Sequence, residues 1–530
     1  MKGMSRTPFA PPGSTPPATV VVGADAPLTI EEVVAVARHD APVRLAEQAL
    51  ARIRRTRAVV DALADDDVPH YGISTGFGAL ATTSIPPHKR AQLQRSLIRS
   101  HAAGSGPEVE REVVRALMLL RLATLATGRT GVQERTATTY AALLNAGITP
   151  VVREYGSLGC SGDLAPLAHC ALAAMGEGEV RDATGELRPA APALAAAGIA
   201  PLELREKEGL ALINGTDGML GMLCLAIADL TGLLTAADVA AGMSVEGLLG
   251  TDHVFAADLQ ALRPHPGQAA SAANLRAMLA DSPIRASHAT AACTRVQDAY
   301  SLRCAPQVHG AARDTVAHAR VVAGRELAAA IDNPVVTLGE RVESNGNFHG
   351  APLGYVLDFL AIVAADVASM SERRTDRFLD RARNAGLPPF LADDPGTDSG
   401  HMIAQYTQAA IVAELKRLAA PASVDSIPSS AMQEDHVSMG WAAARKLRRA
   451  VDGLGRVLAI EALTAARGIE LRAPLVPGPA GAAAVAALRA GGWPGAGPDR
   501  WLAPEIEDAY AVVRSGALVG AVEAVVGVLA

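Results

Sequence analysis

Five long stretches of this chain, at about 217–248, 311–331, 351–384, 400–419 and 436–469, are rich in alanine and carry apolar residues on wide helical faces. A helix that is apolar over most of its circumference has to be buried against neighbours. Several such helices in one chain predict a bundle, in which each supplies the apolar surface the next one needs. Aromatic residues make up only 3% of the 530. A core drawn mainly from Ala, Leu and Val favours packed helices over a sheet-rich design. The expected class is therefore mainly α.

Local signals add detail. Thr29 followed by Glu32 reads as a capping box that opens a short helix through Val33, Val34 and Val36. Pro107 to Thr127 reads as another helix, with Val109, Val113, Leu117, Leu120 and Thr124 along one stripe and Gly128 as the stop. The Pro/Ser-rich residues 1–18 lack the apolar run of a signal peptide and are expected to be a disordered tail. The longest uncharged stretches, 136–152 and 473–488, are interrupted by Pro, Gly or Thr and fall short of the roughly 18 apolar residues that span a bilayer, so no membrane segment is expected.

Charge narrows the partners. With 48 Lys+Arg against 55 Asp+Glu the net charge is −7, the reverse of the basic balance that phosphate-binding surfaces need, and no nucleic-acid partner is expected. Five cysteines, at 160, 170, 224, 293 and 304, form no C-x-x-C pair and no disulfide framework, which points to a reducing compartment, the cytoplasm. His265, His309 and His349 show no metal-ligand spacing, so no metal is assigned. The runs at 70–84, 153–166, 212–218, 296–310, 342–352 and 423–438, dense in Gly, polar and aromatic residues, are expected as the loops that carry chemistry.

Within one of them, Cys160-Ser161-Gly162 reads by composition as a small-residue turn. A compressed backbone there opens another course. The Gly162 nitrogen attacks the carbonyl carbon of Cys160, dehydration leaves a five-membered imidazolone, and loss of water from Ser161 gives an exocyclic methylidene. Glycine suits the attacking position because it has no Cβ to obstruct the approach. The product is a strong electrophile made from the chain itself.

The segment Gly156-Ser157-Leu158-Gly159-Cys160-Ser161-Gly162-Asp163 resembles the signature of the aromatic amino-acid ammonia-lyase family, departing from its Ala-Ser-Gly tripeptide by Cys160. That side chain becomes a substituent outside the methylidene, where Cys is chemically tolerable. The likeness runs from about residue 20 to the C-terminus. Tyr71 in His70-Tyr71-Gly72-Ile73-Ser74-Thr75-Gly76-Phe77-Gly78 resembles the family's tyrosine loop. Asn214-Gly215-Thr216-Asp217 matches its Asn-Gly-Thr segment, Gln297-Asp298-Ala299-Tyr300-Ser301-Leu302-Arg303 its Gln-Asp-x-Tyr-Ser-Leu-Arg box, and Gly346-Asn347-Phe348-His349 its Gly-Asn-Phe-His loop.

The resemblance implies a 4-methylidene-imidazol-5-one formed from Cys160-Ser161-Gly162, with no external cofactor and an amino acid as small-molecule substrate. It implies Tyr71 as catalytic base, Asn214, Gln297 and Tyr300 supporting the electrophile, Arg303 as bidentate clamp for the substrate carboxylate, and Phe348 against the prosthetic ring. Ser100-His101-Ala102 and Gln433-Glu434-Asp435-His436-Val437-Ser438-Met439 resemble the members that act on histidine. His101 and Glu434 are polar partners an imidazole needs and a phenyl ring would leave unpaired, at about 1–3 kcal/mol each. The expected reaction is loss of ammonia from histidine to give trans-urocanate, the first step of histidine degradation.

A tyrosine ammonia-lyase or aminomutase on the same scaffold is the nearest alternative. A fumarase/aspartase-type lyase lacks its G-S-S-x-M-P-x-K-x-N-like loop here, and a silent helical scaffold would not need so many polar groups. The resemblance further implies an N-terminal domain over 19–215 carrying the electrophile loop, a long helical bundle with a C-terminal extension over 216–530, and a homotetramer whose active sites are shared between subunits.

Overall fold

The computed structural model describes residues 18–66, 68–76, 82–290, 293 and 295–530. The expected tail at 1–18 lies, but for residue 18, outside them, as do Phe77 and Gly78 of the tyrosine loop. The described residues are mainly helical, with strands of two to four residues. They form two compact units interleaved along the chain: Met1–Ala228 with Arg320–Asp358 and Pro421–Arg445, and Asp229–Ala319 with Phe359–Ala420 and Lys446–Ala530. Residue 215 falls inside the first.

In the first unit Val20–Val22 and Val43–Leu45 pair in parallel, and the helix Ile30–His39 joins them. Its capping box is formed as expected: Thr29 Oγ1 accepts from Glu32 N at 3.1 Å, and Glu32 Oε2 accepts from Thr29 N at 2.8 Å. Val33 and Val36 turn inward, and the helix packs on the buried helix Arg111–Ala126. That second helix starts four residues later than expected. Ser105–Glu108 instead pairs antiparallel with Arg153–Tyr155, and Gly106 takes φ +89°, so tertiary strand pairing outweighs the helical pattern around Pro107.

The long helices run over Asp217–Gly247, Ala305–Leu327, Ala351–Leu379, Met402–Leu418 and Gly440–Glu470. The second begins before the expected 311 because Pro306 sits in the first turn, where its missing N–H costs nothing. The third stops at Leu379, short of the expected 384: Asn384 Nδ2 donates to Phe378 O at 3.1 Å and ties the chain back on itself. Two of these helices, Asp217–Gly247 and Ala351–Leu379, are long and apolar enough by composition to cross a membrane, contrary to the expectation, although acidic residues within them keep them from being uncharged stretches. Protein covers 78% and 67% of their most apolar windows, as bundle packing requires.

Candidate active site

The tripeptide sits in the first unit, between the strand Arg153–Tyr155 and the helix Leu164–Ala174. Two glycines there take left-handed backbone, Gly159 at φ +67° and Gly162 at φ +81°. A Cβ on Gly162 would collide with the carbonyl of Gly215, so only glycine fits. Gly162 and Gly215 form an isolated parallel bridge, and Asp163 N donates to Gly215 O at 2.7 Å. Further along the chain, Met439 N donates to Leu158 O at 2.9 Å, Ser438 Oγ to Gly159 O at 3.0 Å, and Trp441 Nε1 to Glu154 O at 2.7 Å. The loop is thus pinned from both the 214–219 and the 438–441 segments. A tight backbone whose attacking position admits no side chain fits the cyclisation that the tripeptide needs.

Asp163, fully buried, accepts from Ser157 Oγ and from Met219 N, both at 2.9 Å. Burial raises its carboxyl to about 7, opposed by those hydrogen bonds. Burial, with Glu434 adding to it, pushes the Cys160 thiol up to about 12. A thiol held neutral is a poor nucleophile, which makes cysteine acceptable beside an electrophile.

Glu434 approaches the tripeptide directly. Ser161 Oγ donates to Glu434 Oε1 at 3.3 Å, across 273 residues of sequence. The other carboxylate oxygen accepts from Ser429 Oγ at 3.0 Å, and residues 429 and 434 close a small backbone bridge. Ser430, Ala431 and Met432, inside it, all have positive φ. Three left-handed non-glycine residues in succession are costly and persist only where their surroundings enforce them.

His101 ends the helix Pro87–His101, and its Nδ1 lies 2.9 Å from Leu97 O. A carbonyl only accepts, so Nδ1 carries the proton and Nε2 keeps its lone pair. Burial lowers the His101 pKa, with the Glu434 charge acting the other way. His101, Glu434 and Ser161 are therefore brought into one electrostatic neighbourhood.

The remaining sequence-predicted residues are distributed as follows. Asn214 Nδ2 donates to Asn333 O at 2.9 Å, so its amide nitrogen is engaged with a neighbouring loop. Tyr71 is half-buried at the head of the 71–74 turn, and Phe348 half-buried in the loop before Ala351. Gln297, Tyr300 and Arg303 belong to the second unit. Gln297 and Tyr300 are exposed there, and the Arg303 guanidinium lies 4.7 Å from the Tyr300 ring centroid. Among the described residues Arg303 has no acidic partner, and its buried Nε has no acceptor.

Several groups that shape the site went unread in the sequence. Arg121, fully buried, donates to Ala211 O (3.0 Å), Asn214 O (2.6 Å) and Ile331 O (3.0 Å), and pairs with Asp217 at 3.2 Å. Lys207 and Asp332 form a fully buried pair at 2.5 Å. His349, first weighed as a metal ligand, stacks on His436 with centroids 5.7 Å apart and joins the loops that carry Phe348 and Glu434.

The family model for aromatic amino acid lyases matches residues 28–490. The histidine ammonia-lyase of Streptomyces griseus is 65% identical over 514 residues, 97% of this chain and 100% of that protein. That of Sorangium cellulosum is 49% identical, covering 95% of this chain and 99% of its own length. Among solved structures, the tyrosine aminomutase from Streptomyces globisporus is similar with a TM-score of 0.89 at 37% identity, covering 96% and 98% of the two chains. The histidine ammonia-lyase from Trypanosoma cruzi has a TM-score of 0.87 at 38% identity, covering 96% and 95%. Matched over most of its length by the family model and over nearly all of it by relatives up to 65% identical, the chain belongs to the aromatic amino acid lyase family.

Proposed function

We propose that this carbon–nitrogen lyase eliminates ammonia from L-histidine to give trans-urocanate, as the first step of histidine degradation. The observation that carries the substrate reading is the carboxylate of Glu434 beside Ser161, with His101 in its field and an Nε2 lone pair available. The Glu434 carboxylate and His101 Nε2 both accept hydrogen bonds, so they answer the ring N–H that an imidazole presents and a phenyl ring lacks. The full-length relatives at 65% identity support the same reading.

The difficulty of the reaction lies in a β-proton that is barely acidic, which a side-chain base alone removes too slowly. A methylidene-imidazolone formed from Cys160-Ser161-Gly162 supplies an electrophile that divides this barrier. Around it, Arg303 binds the substrate carboxylate through its planar fork, consistent with a guanidinium that has no acidic partner among the described residues. Tyr71 takes the β-proton at its side-chain oxygen. His101 and Glu434 hold the imidazole, Phe348 closes over the apolar side of the site, and Asn214, Gln297 and Tyr300 supply polar support. In this reading the site is shared within a homotetramer, which the exposure of Gln297 and Tyr300 in the single chain supports. Five free thiols support a cytoplasmic location.

The test is an assay of the purified protein on L-histidine, L-tyrosine and L-phenylalanine, with Ser161→Ala alongside. Turnover of histidine alone, lost in the variant with the fold retained, is expected. A fully active Ser161→Ala protein would overturn the electrophile, and turnover of tyrosine instead would favour the aminomutase-like reading that the solved structures at TM-score 0.89 keep open.

A further inference from the structure

The residues Tyr300–Arg303 form a single helical turn, too short to satisfy its own carbonyls. The turn is anchored from outside at two points. Just ahead of it, buried Asp298 accepts from Thr251 N at 2.7 Å and pairs with Arg295 at 2.9 Å. Within it, the carbonyl of Ser301 accepts from Arg374 Nη1 at 3.2 Å.

Arg374 is a fully buried cation, held in one orientation. Its Nε and Nη2 meet Glu461 Oε1 and Oε2 at 2.5 and 2.9 Å, the bidentate geometry that fixes a guanidinium in its plane. Glu461, equally buried, also accepts from Ser244 Oγ at 2.7 Å and Ser371 Oγ at 2.6 Å. Each oxygen of the carboxylate thus takes two donors, one from the arginine and one from a hydroxyl. The arginine's remaining fork is directed at the Ser301 carbonyl. A buried ion pair contributes no more to stability than apolar packing of the same volume, so its presence asks for another role.

We propose that Arg374, oriented by Glu461, Ser244 and Ser371, is a positioning residue for substrate binding: it fixes the turn that presents Arg303 to the substrate carboxylate. This rests on the reading of Arg303 as the carboxylate clamp. Arg374 acts through the backbone of Ser301 and touches no reacting atom. Lysine in its place keeps the charge but loses the fork, and with it the simultaneous hold on Glu461 and Ser301.

The experiment uses the full-length enzyme and compares Arg374→Lys with the parent. Its readouts are KM and kcat for L-histidine, and inhibition by two imidazole ligands: imidazole-4-propionate, which carries a carboxylate, and histamine, which does not. The expected result is a rise of about tenfold in KM and in the inhibition constant of the propionate, with kcat and histamine inhibition changed less than about threefold. Equal weakening of both inhibitors, or no change in either, would overturn the proposal, since a merely structural role does not distinguish them. If Arg374→Lys does not fold, Ser371→Ala decides. It removes one donor to Glu461, and a selective loss of propionate binding of about twofold or more is expected, an unchanged ratio of the two inhibitors being the contrary result. Arg303→Lys separates the two layers: if it leaves propionate binding intact the clamp reading itself falls, and if it weakens binding while Arg374→Lys does not, only the positioning role falls.

Discussion

Glu434 shows how much of this site depends on single side chains. Its carboxylate accepts from Ser161 and Ser429 and faces His101, so its charge and its two acceptor oxygens are all in use. Glu434→Gln keeps the shape and removes the charge. The expected effect is a drop in kcat/KM for histidine of about 5–150-fold, the factor that 1–3 kcal/mol represents, with a gain in the ratio of phenylalanine to histidine turnover. Steady-state kinetics on both substrates measure it, and an unchanged ratio would remove Glu434 from substrate selection. At this scale the tripeptide, Tyr71, His101, Arg303 and Glu434 stand out in the sequence as candidates, because each sits in a short motif of the family that the chain resembles. Arg121, Lys207 and Asp332 do not. A buried charge is recognised by what surrounds it, and the partners of these three lie from 90 to 210 residues away.

At the scale of elements, helices were legible where their signals are local. The capping box at Thr29 and the apolar faces of the long helices depend on residues three or four apart, and both appear in the structure. Boundaries shifted wherever a distant segment intervened, as when Arg153–Tyr155 drew Ser105–Glu108 into a strand. The helix Met402–Leu418 carries a pH dependence of its own. His401 precedes it, buried, with Nδ1 3.0 Å from Thr464 Oγ1. Burial, reinforced by Arg467 and Arg500 and opposed by Asp499, lowers its pKa to about 3 from 6.5. Between those values the unfolded chain binds a proton at this histidine and the folded chain does not, so the group's contribution to stability is lost as pH falls below 6.5 and stops changing below about 3. The expected slope is at most about 1.4 kcal/mol per pH unit. Thermal melts of the parent and His401→Gln from pH 7 to 4 measure it: the variant, which takes up no proton there, should lose less stability on acidification, and parallel curves would contradict the assignment.

For the whole molecule, the apolar side chains left outside matter most. Tyr355 (62% exposed), Ile403 (58%) and Tyr406 (61%) are large and uncovered on two of the long helices. Exposed apolar surface of this kind marks association, and the proposed tetramer would bring four copies of the 54.4 kDa chain together. Light scattering on the purified protein should therefore return about four times the chain mass. A monomer with full activity would contradict both the tetramer and the shared site.

The sequence by itself determined the helical class and the cap at Thr29, which are written in the spacing of neighbours along the chain, where 3.6-residue periodicity acts without long-range information; the candidate tripeptide and substrate residues it offered only through its resemblance to a family. Only the tertiary structure decided that Glu434 meets Ser161 across 273 residues, that Gly162 lies so close to Gly215 that no Cβ fits, and that Arg374 turns its last donor to Ser301. Those contacts follow from how buried surfaces and buried charges find partners at once, and that is settled by packing in three dimensions.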